Sequence, residues 1–408
     1  MNKSWKRSRL DSGMKLLVLP RDSDRTVRLF LAVFYGSNND LPEKAGLAHF
    51  LEHMLTQGSD KRIRIARKSE DFGGLNCSTG PDYSISFAQV LPKKISEVVE
   101  SLSEITFDGV FEEARLERER RVIFQEIEEF SDNPWKKIHG MLKKALFNLH
   151  PIRLPIAGFH ETVAHLSLEE VTKAHQINYF PRNMIFGLIG KCGQNQTELI
   201  ENYDWPYHGK KSLQKSAFVE DGKPTRKDLV EKGSRADRAY FGMGARTVPA
   251  SHPDSCILDT IRVLLGGGFS SRLYVELREK RGLAYSVFSN HPQGFDYGYL
   301  GVFAAVENKN FEKAIRIVKT EFSKIRDGEL SNKELNRAKG IVEGRIAKNL
   351  DDPFMCPLSL VESEFFSNGE KSITDYLRRL KAVTRNDIQE AASKYLGDNN
   401  LSTIALIS

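Results

Sequence analysis

Residues 49–53 read His-Phe-Leu-Glu-His, which places two imidazoles and a carboxylate within five positions. Each residue of an α-helix turns by about 100°, so on a helix His49, Glu52 and His53 project from one arc about 100° wide. The opposite face would be apolar and comprises Leu47, Phe50, Leu51 and Met54. Two histidines at i and i+4 can bind one zinc ion, and the glutamate beside them can act as a general base.

The same segment has a plainer interpretation, a helix whose three polar side chains are solvated. The regular apolar stripe opposite them favours the metal site, because it predicts that the helix is buried on one side and presents its ligands on the other. The order His-x-x-Glu-His is also the inverted form of HExxH, a signature of zinc peptidases. A catalytic zinc takes three protein ligands and keeps one open position, so one ligand is missing from this motif.

A long charged helix predicted over residues 111–130 is the obvious source of the third ligand. It contains six glutamates between Glu112 and Glu128. Glu119 and Glu126 lie seven residues apart, which places them on nearly the same face at the edge of an apolar stripe. Either could reach a buried site, and spacing alone does not choose among the six. The alternative is that these glutamates form a solvated face, as charged residues on helices usually do.

The elements around these motifs alternate between short strands and longer helices. Apolar runs bounded by turn residues predict strands at 16–19, 27–34, 83–90, 185–189 and 239–247. Helical periodicity predicts helices at 46–55, 63–72, 95–106, 111–130, 135–149, 168–178 and 332–347. Such a mixture predicts the α+β class.

The two halves of the chain repeat the same order of features. Gly74-Leu75 precedes a pair of strands, a helix, Asp108-Gly109 and a charged helix, and the same order follows Gly282-Leu283 and includes Asp327-Gly328. We therefore expect an internal duplication of about 200 residues. The predicted organisation is an N-terminal zinc-binding domain at 1–205, a linker at 206–235, rich in lysine, glycine and proline, and a homologous C-terminal domain at 236–408.

Length, composition and charge exclude several classes of protein. The chain has 408 residues, enough for two or three domains of about 150 residues each. The net charge of +6 is too small for this length to indicate nucleic-acid binding, and no apolar run approaches the ~20 residues of a membrane span. The four cysteines are far apart, which argues against a disulfide framework. The basic N-terminus lacks the apolar region of a signal peptide, so we expect a cytoplasmic protein.

Residues 46–54 (GLAHFLEHM), preceded by Gly36-Ser37, resemble the insulinase (pitrilysin) family of zinc metallopeptidases, and in particular its short two-domain type. Further segments that resemble the family are Gly74-Leu75-Asn76, residues 119–126, residues 178–184 (NYFPRNM), residues 270–273 (SSRL), Leu277-Arg278-Glu279 and residues 282–285 (GLAY). They follow one another in order along nearly the whole chain. The resemblance implies two homologous α/β sandwich domains, each a mostly antiparallel sheet covered by helices.

The resemblance also assigns roles to the residues of the first motif. It implies that His49, His53 and Glu126 bind one Zn²⁺ per chain and that Glu52 is the general base toward a zinc-bound water. Glu119 would then be a carboxylate that orients a ligand histidine, a role that normally tightens metal binding.

Substrate contacts are implied in both halves of the chain. Asn76 would bind the peptide backbone beside the zinc, and Arg278 and Tyr285 would grip the substrate and stabilise the oxyanion. The peptide would add as a strand to a sheet edge. Cys77 stands where the family usually has alanine, and it is either a redox-sensitive thiol or, as we favour, a small buried hydrophobe.

These features predict a zinc-dependent endopeptidase that hydrolyses peptides or unfolded segments. The alternative is a catalytically silent or peptide-binding subunit of a heterodimeric peptidase. The chain is about half as long as the clamshell-shaped members of the family that it resembles, so we expect a homodimer or a heterodimer with a homologous chain. We expect no nucleic-acid or membrane partner.

Overall fold

The computed structural model describes residues 5–206, 222, 226–232, 238–367 and 373–407. The described residues divide into two compact units. The first unit comprises those of Met1–Glu128, Leu154–Ala217 and Pro353–Val361, and the second comprises those of Glu129–Arg153, Phe218–Asp352 and Glu362–Ser408. Most of the linker predicted at 206–235 lies outside the described residues.

The strands form two sheets, one in each unit. In chain order they are β1 (Lys6–Arg9), β2 (Lys15–Pro20), β3 (Val27–Val33), β4 (Asn76–Thr79), β5 (Ser84–Val90), β6 (Met184–Gly190), β7 (Leu229–Lys232), β8 (Arg238–Arg246), β9 (Ala284–Asn290), β10 (Tyr299–Glu307) and β11 (Ser402–Ile407). The first sheet has the order β1-β2-β6-β3-β5-β4, and the second has the order β7-β11-β8-β10-β9.

The two sheets share one topology. From β2 to β4 and from β7 to β9, the first pair of neighbours is parallel and the other three pairs are antiparallel. The strand β1 is an addition at the edge of the first sheet. The shared order confirms the predicted α+β class with two similar, mostly antiparallel domains, and it is the result expected of an internal duplication.

Helices cover these sheets. In chain order they are α1 (Leu47–Gln57), α2 (Asp60–Ser69), α3 (Ile95–Phe107), α4 (Glu113–Asp132), α5 (Pro134–Leu146), α6 (His160–His165), α7 (Leu168–Asn178), α8 (Gln194–Glu201), α9 (Ser255–Gly266), α10 (Phe311–Arg326), α11 (Asn332–Asp351), α12 (Met355–Ser367), α13 (Ile373–Ala382) and α14 (Arg385–Tyr395). A π-helical turn spans Tyr274–Glu279. Within the described ranges, no helix combines the length and apolar composition needed to cross a bilayer.

Helix α2 begins three residues before its predicted start at residue 63. The Ser59 hydroxyl accepts a hydrogen bond from the Arg62 backbone N–H and so caps the helix. Asp60 then lies in the first turn, where a negative charge is favoured by the helix dipole. The prediction missed this start because it followed the apolar periodicity, whereas the cap determines where the helix begins.

Helix α5 belongs to the second unit, although it precedes much of the first unit in sequence. Its buried Ile138 and Leu142 share one hydrophobic cluster with Tyr240 on β8, Phe303 on β10 and Ile404 on β11. The start of α12 belongs in turn to the first unit, where the Phe354 ring packs edge-on against Phe87 of β5. The compact units therefore exchange segments of the chain at more than one point, and the predicted domain bounds 1–205 and 236–408 stay a prediction.

Candidate metal centre

Helix α1 presents its polar motif on one side and packs its apolar stripe on the other. Phe50, Leu51 and Met54 are fully buried in the core of the first unit. The His49 and His53 side chains keep only 15% of their surface exposed. The predicted division of this helix into a core face and a ligand face is therefore present.

Two buried side chains outside the motif hold the ends of α1. Before the helix, the Asp40 carboxylate accepts hydrogen bonds from the backbone N–H groups of Gly46 (3.1 Å) and Ala48 (3.1 Å). At the other end, the Arg62 guanidinium donates to the carbonyl of Leu55 (2.7 Å). Sequence reasoning missed both residues. Asp40 carries no pattern, and Arg62 belongs to a segment that is typical of a solvated helix.

Helix α4 brings two glutamates to the histidines of α1. His53 Nδ1 donates to Glu119 Oε2 at 3.1 Å, so the Nε2 lone pair faces the other way. On that side the Glu126 carboxylate lies 3.6 Å from His53 Nε2 and 3.5 Å from His49 Nε2. The described residues contain one group of metal-ligating side chains of this kind, namely His49, His53 and Glu126, whose donor atoms lie within 4.8 Å of one another.

The spacing of these three donors fits a zinc ion better than a set of hydrogen bonds. Ligands about 2.0–2.2 Å from a tetrahedral zinc lie roughly 3.3–3.6 Å apart. Two separations fall at this length, 3.5 Å from His49 Nε2 to Glu126 Oε2 and 3.6 Å from His53 Nε2 to Glu126 Oε1, and one donor atom from each of the three residues can be chosen so that all lie within 4.8 Å. Both separations exceed the normal length of an N–H···O hydrogen bond. His49 Nδ1 is buried with no protein partner among the described residues. The donor set of two imidazoles and one carboxylate is typical of zinc.

The electrostatic environment shifts the pKa values of the two histidines in opposite directions. Burial, followed by the neighbouring charge of His53, lowers the pKa of His49 to about 3, so its imidazole is neutral and able to bind a metal. Burial acts to lower the pKa of His53 as well, but the hydrogen bond to Glu119 and the charges of Glu52 and Glu126 outweigh it and raise that pKa. The site thus holds a surplus of negative charge, which a divalent cation would neutralise.

Glu52 lies on the ligand face of α1, but it is not one of the three clustered donors. Burial raises the pKa of Glu52, the charge of His53 acts in the opposite direction, and the charge of Glu126 raises it further. A carboxylate with a raised pKa is better suited to accepting a proton near neutral pH than an ordinary surface glutamate. This position and environment are compatible with a general base, and that role of Glu52 stays a prediction.

Glu119→Ala is expected to weaken zinc binding by about 10- to 100-fold, because it removes the hydrogen bond that orients His53. Zinc affinity can be measured by competition with a chromophoric chelator. Glu113→Ala, which removes an exposed glutamate from the first turn of the same helix, is the matched control and should leave the affinity unchanged. Equal affinities of the two variants would contradict a positioning role for Glu119.

The strand β4 lies at the edge of the first sheet and begins shortly after a pair of glycines. Gly73 and Gly74 adopt left-handed φ angles of 113° and 88°, which glycine tolerates, and they lead into Asn76 at the start of β4. Asn76 is exposed. The Cys77 thiol and the Ser86 hydroxyl share a hydrogen bond of 3.1 Å. Burial raises the pKa of the Cys77 thiol to about 12. The thiol therefore stays protonated, which agrees with the favoured interpretation of Cys77 as a small packed side chain.

Arg278 and Tyr285 lie together in the second unit. The Arg278 guanidinium donates to the backbone carbonyl of Tyr285 at 2.8 Å, and the Tyr285 side chain is 71% exposed. Arg238 stacks over the Tyr285 ring at 5.1 Å. These three residues line a cavity of about 390 Å³ next to β9, the edge strand of the second sheet. The pair is thus available to a ligand, while its predicted role in gripping substrate stays a prediction.

Two α+β units of one topology, with an inverted HxxEH motif and a glutamate on a following helix, define the class of zinc-peptidase folds. Residues 16–159 match the family model of the insulinase family (peptidase family M16), and residues 165–342 match the model of the peptidase M16 inactive domain. The chain belongs to the insulinase family and is of its short two-domain type, which confirms the resemblance.

Relatives of similar length carry related names. An uncharacterized zinc protease of Bacillus subtilis (YmxG) is 26% identical over 409 residues, an alignment that covers 99% of this chain and 98% of the relative. An uncharacterized zinc protease of Mycobacterium tuberculosis is 28% identical over 402 residues, covering 96% of this chain and 90% of the relative.

Solved structures share the fold at lower identity. A protease from Helicobacter pylori superimposes with a TM-score of 0.91 at 21% identity and full coverage of both chains. A chain of Complex III2 from Candida albicans superimposes with a TM-score of 0.83 at 16% identity, covering 98% of this chain and 95% of the other. The fold is therefore not restricted to proteins named as peptidases.

Proposed function

We propose that the protein is a zinc-dependent endopeptidase that hydrolyses peptides or unfolded segments. The observation that carries the proposal is the convergence of His49, His53 and the Glu126 carboxylate, whose donor atoms lie within 4.8 Å of one another. The presence of Glu52 on the same helical face supplies the base that hydrolysis requires. The names of the relatives support a zinc peptidase. The proposal adds that this protein cleaves bonds within a peptide chain.

In this proposal His49, His53 and Glu126 hold one zinc per chain. When bound, the zinc would polarise the scissile carbonyl and lower the pKa of the attacking water to about 7. Glu52 removes a proton from that water as its oxygen bonds to the carbonyl carbon. Glu52 then delivers the proton to the leaving nitrogen as the C–N bond breaks. Glu119 keeps His53 in the tautomer whose Nε2 lone pair is free to bind a metal.

The proposed substrate binds as an added strand. Among the described strands β4 has a single neighbour, β5, so its other edge offers backbone N–H and C=O groups to an extended peptide. We assign Asn76, which is exposed at the start of β4, to binding the peptide backbone. We assign Arg278 and Tyr285 to gripping the substrate and stabilising the charge that develops on the carbonyl oxygen.

The second candidate is a catalytically silent, peptide-binding subunit. It is favoured by two findings: the fold also occurs in Complex III2, and the second family model describes an inactive domain. Zinc analysis of the purified protein, combined with cleavage of a quenched peptide library, separates the two candidates. Bound zinc together with cleavage supports the endopeptidase, whereas zinc without cleavage of any peptide supports the silent subunit.

We further propose a cytoplasmic homodimer in which the zinc-binding domain of one subunit faces the second domain of its partner. A two-fold axis would then create two identical composite sites. Mixing two inactive variants, Glu52→Gln and Arg278→Ala, after unfolding or by co-expression tests this arrangement. Half of randomly assembled dimers are mixed and each contains one intact site of two, so roughly a quarter of the wild-type activity should return.

The mixing experiment needs proof that subunits have exchanged, which differently tagged variants and a pull-down provide. If each site forms within one chain, every site in the mixture carries one lesion and no activity returns. Absence of rescue despite shown exchange would contradict the shared-site dimer. It would leave either a site within one chain or a heterodimer with a homologous chain.

A further inference from the structure

A cavity of about 630 Å³ opens in the first unit beside the start of β4. Its walls come from α2, from the turn that leads into β4, and from the first half of α4. Four arginines line it: Arg64, Arg67, Arg115 and Arg118. We infer that this cavity binds an acidic side chain of the peptide substrate. The inference rests on the proposed function and specifies the substrate class of that same site.

The cavity holds more positive charge than its own acidic residues neutralise. Arg115 forms an ion pair with Asp60. Arg64, Arg67 and Arg118 are exposed, and within the described part of the chain their side chains have no ion pair, hydrogen bond or ring contact. The remaining acidic residue of the lining is Glu70.

Three guanidinium groups thus face one concave space with a single carboxylate to balance them. Arginine is well suited to bind a carboxylate there, because its planar N–H fork matches the two oxygens. Arginines spread over a convex surface would be adequately solvated, whereas these three border one cavity whose walls include the less exposed Ile63, Ala66 and Leu75. The recognised group is therefore an anionic side chain.

The cavity adjoins the start of β4, so a peptide paired with the open edge of this strand and continuing past its start would approach the cavity. Gly74 and Leu75 line it, and the next residue is Asn76 at the start of the open edge strand. On α4, Arg118 precedes Glu126 by eight residues and Arg115 precedes it by eleven, which correspond to about 12 and 16 Å along the helix axis. An extended peptide advances about 3.3 Å per residue. The acidic side chain would accordingly lie three to five residues from the cleaved bond.

Cleavage of a peptide library by the wild-type protein tests this inference first. We expect Asp and Glu to be enriched about three- to tenfold at one position three to five residues from the cleaved bond, the range of a few exposed charge pairs. The triple variant Arg64→Gln/Arg67→Gln/Arg118→Gln should lose the enrichment. The charge-reversed variant Arg64→Glu/Arg67→Glu should favour Lys and Arg at that position instead.

Arg121→Gln is the matched control. It removes the same charge from an exposed position of α4 that does not line the cavity, so the acidic preference should persist. Cleavage without acidic preference in the wild type would overturn the inference. So would a preference that survives in the triple variant.

A binding measurement keeps the inference testable if the wild type cleaves nothing, an outcome that would count against the endopeptidase alone. Fluorescence anisotropy would compare peptide pools that differ only in Glu, Gln or Lys content. The acidic pool should bind three- to tenfold more tightly than the Gln pool, and this difference should shrink in 0.5 M NaCl because salt screens exposed charges. Equal binding of the three pools, or an unchanged difference in the triple variant, would overturn the acidic site.

Discussion

Replacing Glu52 with glutamine is expected to lower peptide hydrolysis by about 10²- to 10⁴-fold while zinc remains bound at one ion per chain. Glutamine keeps the shape of the side chain but cannot take a proton from water at neutral pH. The three clustered donors His49, His53 and Glu126 are unchanged in this variant. Zinc can be counted by elemental analysis, and kcat/KM can be measured with a quenched peptide.

The matched control for this variant is Glu128→Gln, which makes the same chemical change at an exposed position of α4. It should retain both zinc and activity. A zinc content of zero in Glu52→Gln would show that Glu52 is a ligand. Full activity with zinc bound would show that another group removes the proton.

The helix that carries the motif is predictable because its information is local. The 3.6-residue period places Leu47, Phe50, Leu51 and Met54 on one face, and all four are buried in the structure. A stripe of this kind encodes both the helix and the side that packs. The orientation of His49 follows from it without knowledge of any distant residue.

The residues that hold this helix in place are not predictable in the same way. Arg62 lies in a strongly charged segment, yet its side chain is fully buried, because its guanidinium donates to the carbonyls of Leu55 and Ile105. Asp40 lies in a turn and is buried because two backbone N–H groups of the α1 start need an acceptor. Both depend on tertiary packing, which leaves no periodic trace in the sequence.

Helix α5 shows the same limit at the level of domains. Its apolar periodicity predicts a helix with one buried face, as found. The pattern does not indicate which of the two sheets the buried face of α5 packs against. Proximity in sequence suggested the first domain, whereas the buried residues of α5 pack in the second unit, with Tyr240 and Phe303. The sheet that receives an amphipathic helix depends on the three-dimensional path of the chain.

The third zinc ligand was predictable from the sequence only in part. Spacing indicated Glu119 and Glu126 as two glutamates on one face of α4 without choosing between them. They are separated by about 10.5 Å along the helix axis, so they meet different atoms of α1. Glu119 reaches Nδ1 of His53, and Glu126 faces Nε2 of both His49 and His53. On this geometry we propose that Glu119, which contacts one ring nitrogen, orients His53 and that Glu126, which lies beside both Nε2 atoms, is the third ligand.

Glu126→Ala is therefore expected to weaken zinc binding by more than the 10- to 100-fold expected for loss of the orienting Glu119. The variant would leave two imidazoles, fewer than the three protein ligands that a catalytic zinc requires. Under mild chelation it should release its zinc while the wild type retains it, and peptide hydrolysis should disappear with the metal. The measurement is zinc retained after dialysis against a graded series of chelator concentrations.

Glu128→Ala provides the control, since Glu128 is exposed and lies two residues further along α4, turned by about 200° from Glu126. It removes the same charge from the same stretch of helix, so any general loss of negative potential or of helix stability would affect both variants alike. We expect Glu128→Ala to retain zinc like the wild type. Equal retention in the two variants would remove Glu126 from the metal centre, and equal loss in both would assign the effect to helix α4 as a whole rather than to one ligand.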